Sequence, residues 1–268
     1  MNAPESASTA EPVLLTRAAG GVVHLTLNRP QQFNALSEQM LAALQAALDE
    51  IEADTSARVV VIAGAGRAFC AGHDLKQMRA NPQLDYYQRL FADCARVMRR
   101  IQTLPQPVIA RVHGIATAAG CQLVAMCDLA VAAEQAQFAV SGINTGLFCS
   151  SPAVALSRNV GRKPAFEMLV TGEFIDARTA LARGLVNQVV AQSDLDEAIA
   201  QLAARIIAKP ALAVRMGKQL FYRQLEMGID AAYQLAGQTM ACNMIDDVAQ
   251  EGVDAFIQKR APNWPSPS

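Results

Sequence analysis

The chain has little of what nucleic-acid-binding proteins use. Only 5% of its 268 residues are aromatic, and its formal net charge at pH 7 is −1. Proteins that bind single-stranded nucleic acid combine a basic surface with aromatic side chains for base stacking. The composition therefore argues against a nucleic-acid partner, and any anionic ligand has to be held by a local site.

The chain also lacks the patterns of a metal centre, a secretory signal or a membrane span. Its three histidines, His24, His73 and His113, show no metal-ligand spacing, and its six cysteines form no C-x-x-C pair. No basic segment followed by an apolar run opens the sequence. The longest uncharged stretch, between Arg111 and Asp128, is too short to cross a bilayer. We therefore expect reduced thiols, no metal, no membrane partner and a cytosolic protein.

Apolar residues, in contrast, are plentiful: 52% of the chain is hydrophobic, and 18% is charged. Such a chain can bury a large core. Apolar runs at Val22–Leu27, 58–63 and Val108–Val112 alternate with amphipathic helical patterns, which predicts an α/β fold with mainly parallel strands and right-handed crossovers. From about residue 193 the pattern is helical throughout. The predicted organisation is a disordered tail over 1–12, a core over 13–192 and a helical region over 193–268.

Two turns rich in small residues follow buried strands. The first covers residues 67–76, and the second covers 112–122, where Ala118, Ala119 and Gly120 open a helix. Ligands gather at the carboxyl ends of parallel strands, and free N–H groups point outward at a helix N-terminus. Each turn alone is compatible with an ordinary strand-to-helix connection. Together they could form a paired oxyanion hole for a carbonyl that becomes negatively charged.

Several segments match a known family in order and spacing: 27–30, 34–36, 69–75, 107–110, 113–128, 169–172, 182–186, 251–256 and 259–260. On these segments the chain resembles the crotonase (enoyl-CoA hydratase/isomerase) family from about Val22 to Arg260. The resemblance implies a crotonase (ClpP-like) spiral of ββα units with a helical C-terminal trimerisation region. It also implies a homotrimer or dimer of trimers that binds an acyl-CoA thioester, with coenzyme A as part of the substrate and no separate cofactor. The sequence around His73 and over 117–150 is most similar to one branch of the family.

The resemblance also implies roles for individual residues. The thioester oxygen would accept hydrogen bonds from the backbone N–H groups of His73 and Ala119. Residues along the coenzyme A path would come from the same chain and, at the C-terminal end, from a neighbouring subunit. The implied coenzyme A contacts are Arg29, Ala35, Ala71 and Asp74 within the chain, and Phe256 and Lys259 from the neighbour.

The chain departs from the family at the positions that carry the acid–base chemistry. The two glutamates of the hydratases correspond to Gln122 and Gly142, and a further isomerase carboxylate corresponds to Ser150. An amide does not shuttle protons at neutral pH, and one acid–base group is typically worth about 10²–10⁴-fold in rate. We therefore predict weak or absent hydratase activity. An acyl-CoA thioesterase, a decarboxylase and a non-catalytic acyl-CoA-binding protein remain as alternatives.

Three nearby side chains have more than one interpretation. The imidazole of His73 could serve as a base, although its backbone N–H carries the family role. Cys149 and Ser150 offer nucleophiles, but no partner base is visible in the sequence. Ser150 or Ser151 could instead cap the helix in which Pro152 occupies the first turn.

Overall fold

The structure is a computed structural model that describes residues 12–264. The tail predicted over 1–12 lies outside the described residues except for Pro12. Two sheets form the core of the described chain. The larger sheet contains, in spatial order, β1 (Leu14–Ala19), β2 (Val22–Leu27), β3 (Val59–Gly64), β5 (Val108–Val112), β7 (Leu129–Ala133) and β10 (Gln188–Val190). The smaller sheet contains β4 (Ala68–Cys70), β6 (Ile115–Thr117), β8 (Gln137–Ala139) and β9 (Ile175–Asp176).

Three consecutive strand pairs build these sheets as a spiral. The pairs are β3 with β4, β5 with β6 and β7 with β8, and the first strand of each pair lies in the larger sheet. Successive pairs run parallel in both sheets, and helices follow each pair. The predicted α/β spiral of ββα units is thus confirmed. The second strand of each pair was not predicted, because three residues are too few to show a strand periodicity.

Eleven helices are present in the described residues, and most coincide with the predicted helical patterns. The long α1 and α3 cover the larger sheet on the main core side, and α8 covers its opposite face. The helices are α1 (Glu38–Ala53), α2 (Leu75–Ala80), α3 (Leu84–Thr103), α4 (Ala119–Met126), α5 (Ser150–Asn159), α6 (Arg162–Thr171), α7 (Ala177–Ala182), α8 (Leu195–Ile207), α9 (Ala211–Leu225), α10 (Ile229–Ile245) and α11 (Asp247–Ile257).

Capping side chains begin several helices, as the sequence indicates. The Ser37 hydroxyl accepts the Met40 N–H at 3.2 Å, and the Asp176 carboxylate accepts the Thr179 N–H at 2.7 Å. The suggestion that Ser150 or Ser151 caps α5 is wrong. Cys149 holds the cap position without a side-chain bond, because α5 already begins at Ser150.

The C-terminal helices bury much less of their surface than the core does. In each of α9, α10 and α11 a single residue is buried. The one in α9 is Lys218, whose ammonium donates to Asp128 at 2.6 Å and to two backbone carbonyls, and thereby attaches this helix to the core. Large apolar side chains remain exposed on these helices: Phe221, Leu225, Ile229, Tyr233, Met240, Met244, Ile245, Val253, Phe256 and Ile257.

Two general properties complete the fold. In the part of the chain that the structure describes, no helix combines the length and apolarity needed to cross a bilayer. The same residues contain no group of three His, Cys, Asp or Glu side chains that could hold a metal ion. The placement of a region boundary at residue 193 stays a prediction.

Candidate functional site

The two turns that the sequence singled out meet in space at Gly72. This glycine has φ +90°, and a Cβ atom on it would lie 3.1 Å from the Ala119 nitrogen and 2.9 Å from the Ala118 Cβ. Few side chains tolerate that backbone conformation, and none would fit without a shift in its neighbours. The first turn therefore lies directly on the N-terminus of α4.

Two backbone N–H groups at this junction are free. Within residues 12–264, neither the His73 N–H nor the Ala119 N–H donates a hydrogen bond. Ala118 adopts φ 51° and ψ −122°, and its own N–H donates to the Ala139 carbonyl at 3.0 Å. Such a conformation costs on the order of 1–3 kcal/mol for a non-glycine residue. The strained turn presents the Ala119 N–H at the positive end of the helix dipole.

Four of the residues predicted to line the coenzyme A path come together around the first turn. The Arg29 guanidinium donates to the Ala35 carbonyl at 3.2 Å and to the Asp74 carboxylate at 3.1 Å. Ala71 lies in the same segment, and its N–H donates to the Phe33 carbonyl at 3.0 Å. Burial opposes ionisation of Asp74, but the Gln77 N–H and Arg29 outweigh it and lower the pKa of this carboxyl.

Asn34 organises this region, a role that the sequence pattern did not predict. It is fully buried with φ 56°, and its amide nitrogen donates to the carbonyls of Ala65 and Ala68 at 2.9 and 2.8 Å. Its amide oxygen accepts the Arg29 N–H at 2.9 Å. The tolerance of asparagine for left-handed backbone was the only signal in the sequence.

Gln122 lies one turn beyond Ala119, on the same face of α4. Its side chain is 5% exposed, and its Oε1 atom is buried without a hydrogen-bond partner. A buried polar group left unpaired typically costs about 1–3 kcal/mol. This oxygen is therefore available to accept a hydrogen bond from a ligand that enters the site.

Gly142, the position predicted to correspond to the second glutamate, has no room for a side chain. A Cβ atom on Gly142 would lie 2.6 Å from the Leu147 carbonyl oxygen and 2.7 Å from the Cys149 sulfur. The loop that holds these atoms is fixed by the Leu147 N–H, which donates to the Gly142 carbonyl at 3.1 Å. Burial raises the pKa of the Cys149 thiol, so this sulfur is protonated at neutral pH.

The remaining side chains with predicted roles are one partly buried imidazole and three exposed groups. The His73 ring packs edge-on against Phe91 at 5.4 Å, and burial lowers its pKa, so the ring is neutral at pH 7. Ser150 is exposed, and its hydroxyl lies 3.4 Å from the Phe148 carbonyl. Phe256 is 84% exposed in the single protomer. Lys259, also exposed, follows α11 with φ 53°.

Comparisons with known proteins agree with this architecture. The family model described as "Enoyl-CoA hydratase/isomerase" matches residues 17–267. The chain is 45% identical to the protein named "Enoyl-CoA hydratase domain-containing protein 3, mitochondrial" from Xenopus laevis, over 94% of this chain and 86% of that protein. The human protein of the same name is 44% identical, over 92% of this chain and 82% of its own length. This is the branch that the wording around His73 resembles, and the resemblance is confirmed.

Solved structures give the same result. The crystal structure of an enoyl-CoA hydratase from Mycobacterium smegmatis is 65% identical, with a TM-score of 0.94 over 95% of this chain and 99% of that one. The human enoyl-CoA hydratase domain-containing protein 3 is 43% identical, with a TM-score of 0.91 over 94% of this chain and 100% of that one.

The names of the relatives correct one expectation. The proteins from Xenopus laevis, rat, mouse and human are all named mitochondrial, so the cytosolic location that we expected is contradicted. That expectation depended on the composition of a short terminal segment, and targeting segments are independent of the folded domain.

Proposed function

Because this chain belongs to the enoyl-CoA hydratase/isomerase family, we propose that it binds acyl-CoA thioesters and holds the thioester oxygen between the N–H groups of His73 and Ala119. The observation that carries this proposal is the pair of unused backbone donors beside Gly72. Backbone donors keep this function whatever side chains surround them. An oxyanion-hole donor is worth roughly 3 kcal/mol when charge develops on the carbonyl oxygen.

In this proposal the protein polarises the carbonyl but hydrates an enoyl thioester weakly or not at all. Hydration needs groups that deliver and remove a proton around one water molecule. Gln122 supplies an amide, and Gly142 supplies no side chain. The Cys149 sulfur beside Gly142 cannot replace the missing base, since burial raises the pKa of its thiol. A neutral amide and a protonated thiol can orient a ligand through hydrogen bonds, but neither can accept a proton as a general base at pH 7.

A second candidate is a reaction that needs only carbonyl polarisation. Decarboxylation of a malonyl-type thioester breaks one C–C bond, releases carbon dioxide and leaves an enolate, whose charge falls on the same oxygen until the α-carbon takes a proton from water. The Gln122 side chain favours this candidate, because its NH₂ group could donate a hydrogen bond to the departing carboxylate, while its unpartnered oxygen could accept one from an N–H or O–H group of the ligand. Hydrolysis of the thioester has less support, since it needs an activated water or nucleophile. Binding without turnover is the third outcome.

The coenzyme A contacts from Phe256 and Lys259 would come from a second copy of the chain. The exposed apolar surface of α9–α11 supports assembly into a homotrimer or dimer of trimers. The segment after α11 is already ordered for such a role. The Arg260 guanidinium binds Glu251 in a fork at 2.6 and 2.8 Å, and it follows directly on Lys259.

The most direct test of the proposal is the infrared spectrum of butyryl-CoA labelled with ¹³C at its carbonyl carbon. Two N–H donors weaken the C=O bond, so we expect the carbonyl band to move to lower wavenumber on binding to the wild-type protein. An unshifted band in a complex that calorimetry shows to be formed would contradict the oxyanion hole. Release of free CoA or of carbon dioxide, measured in parallel with butyryl-CoA and malonyl-CoA, separates the candidate reactions from binding alone.

A further inference from the structure

A cavity separate from the candidate site lies on the face of the larger sheet that is turned away from the main core. Its volume is ≈ 600 Å³, within the range of small-molecule sites. Side chains alternate between the two faces of a strand, so Val23, Leu25 and Leu27 of β2 enter the main core while His24 and Thr26 face this cavity. We call this cavity the back-face groove.

The back-face groove exists because α8 covers the sheet incompletely. This helix packs on the inner strands, where Ile199 meets Val59, Val61 and Ile109 in a small second core. Toward β2, α8 presents short side chains, among them Ala200 and Ala204. These alanines leave an open space between helix and sheet with largely apolar walls.

One end of the back-face groove is polar and only partly satisfied. The Arg111 Nε atom donates to the Asp196 carboxylate at 2.5 Å, and the two terminal NH₂ groups of Arg111 donate no hydrogen bond within the described residues. Asp196 is 81% exposed, so solvent screens its attraction for the guanidinium. His24 lies close to both charges. Burial lowers its pKa, Asp196 opposes that shift and Arg111 adds to it.

We propose that the back-face groove binds a small aliphatic carboxylate. The carboxylate would take the two free NH₂ groups of Arg111 as a planar fork, a geometry that guanidinium and carboxylate share. The imidazole of His24 and the hydroxyl of Thr26 offer further hydrogen bonds. The aliphatic chain would lie against Ala200 and Ala204 of α8.

The local charge favours a monocarboxylate over other ligands. Arg111 is the only cation that lines the groove among the described residues, and Asp196 already offsets part of its charge. A dianionic phosphate would therefore remain under-neutralised. A neutral ligand would leave the end of the guanidinium without an acceptor. This site is independent of the proposed oxyanion hole, which lies at the N-terminus of α4.

The test uses sodium hexanoate as the probe and the full-length protein. The chain has three histidines, so the imidazole signals of His24, His73 and His113 can be followed by NMR. We expect a saturable shift of the His24 signal, with His73 unchanged and no effect of sodium chloride at equal ionic strength. Arg111→Gln should weaken hexanoate binding at least tenfold, whereas Arg99→Gln, on the exposed surface of α3, should leave it unchanged.

A second variant covers the possibility that Arg111→Gln loosens α8. Ala200→Leu keeps every charge and places a larger side chain in the groove, so it should also abolish the His24 shift. Butyryl-CoA binding should stay within twofold of wild type in all three variants. Absence of a saturable His24 shift in the wild type, or a shift that persists in Ala200→Leu, would overturn the proposal. A shift confined to His73 would place hexanoate in the other site and would overturn it as well.

Discussion

The turn at residues 118–122 and the loop at 141–150 contain the two positions predicted to replace the family glutamates, and they are packed in opposite ways. The turn leaves hydrogen-bonding groups unused: the Ala119 N–H and the buried Gln122 amide have no partner in the described chain. The loop is filled, because Leu147 and Cys149 take the space beside Gly142. One segment is prepared for a ligand, and the other is closed.

The difference separates two kinds of catalytic contribution. Carbonyl polarisation depends on backbone groups, which persist when side chains change. Proton transfer depends on particular side chains, and the filled space beside Gly142 leaves no room for a glutamate there unless the loop repacks. The comparison predicts that substitutions at the turn will alter ligand binding, whereas substitutions in the loop will mainly alter stability.

The largest effect is expected from Gly72→Ala. Its methyl group would lie 3.1 Å from the Ala119 nitrogen, where the proposed site would hold the thioester oxygen. We expect butyryl-CoA to bind at least about tenfold more weakly, which corresponds to about 1.4 kcal/mol. The φ of +90° adds a loss of stability on the order of 1–3 kcal/mol.

Gly20→Ala is the matched control, since Gly20 also has positive φ but has no atom within 4 Å of its added methyl group. It should lose stability and keep its affinity, as measured by urea denaturation and calorimetry. Equal affinities of the Gly72 and Gly20 variants for butyryl-CoA would show that the space beside the Ala119 N–H takes no part in binding.

Gly142→Glu is expected to have the next largest effect, on stability. The new side chain meets the Leu147 carbonyl and the Cys149 sulfur, and overpacking of this kind typically costs about 1–3 kcal/mol. Cys149→Ala in the same chain should recover part of that loss. Hydration of crotonyl-CoA should emerge only when Gln122→Glu is combined with both changes. A fully stable Gly142→Glu variant would show that the loop is open.

Gln122→Met is expected to have a smaller effect, with the opposite sign. It removes a buried amide oxygen that has no partner, so the free energy of unfolding should rise by about 1 kcal/mol. Butyryl-CoA affinity should change less than in Gly72→Ala, because backbone groups hold the carbonyl. The control is Gln106→Met, at a buried glutamine whose oxygen is also unpartnered in the described chain but whose Nε2 donates to the Ile51 carbonyl at 3.0 Å, a bond that methionine would lose. That variant should be destabilised, and a destabilised Gln122→Met would mean that the amide is satisfied.

The smallest effect is expected for the pH dependence of stability at Asp74. The pKa of Asp74 is lowered in the folded protein, since the Gln77 N–H and Arg29 outweigh burial. Its contribution to stability is therefore complete above the ordinary value of 3.8 and is lost as the pH falls through the folded pKa. Asp74→Asn should reduce stability at pH 7 and narrow its difference from wild type below pH 3.8. A difference that stays constant with pH would contradict the Arg29–Asp74 pair.

The sequence predicts the elements whose pattern is long and periodic. The helices α1 and α3 and the buried strands β3 and β5 follow from apolar spacing alone, and the free N–H groups at Ala119 follow from small residues at a helix start. Packing between distant segments could not be predicted. The contact of Cys149 with Gly142, the bonds of Asn34 to a loop some thirty residues away, and the short strands β4, β6 and β8 all depend on tertiary structure.

Hydration of crotonyl-CoA, measured together with its binding, distinguishes a protein that only polarises the thioester from a working hydratase. Loss of the conjugated thioester absorbance reports hydration, and calorimetry reports binding on the same preparation. We predict saturable binding with negligible hydration, because the backbone donors at His73 and Ala119 remain while both carboxylates are missing. Robust turnover by the wild-type protein would contradict this account and would require another group near Gln122 to carry the proton.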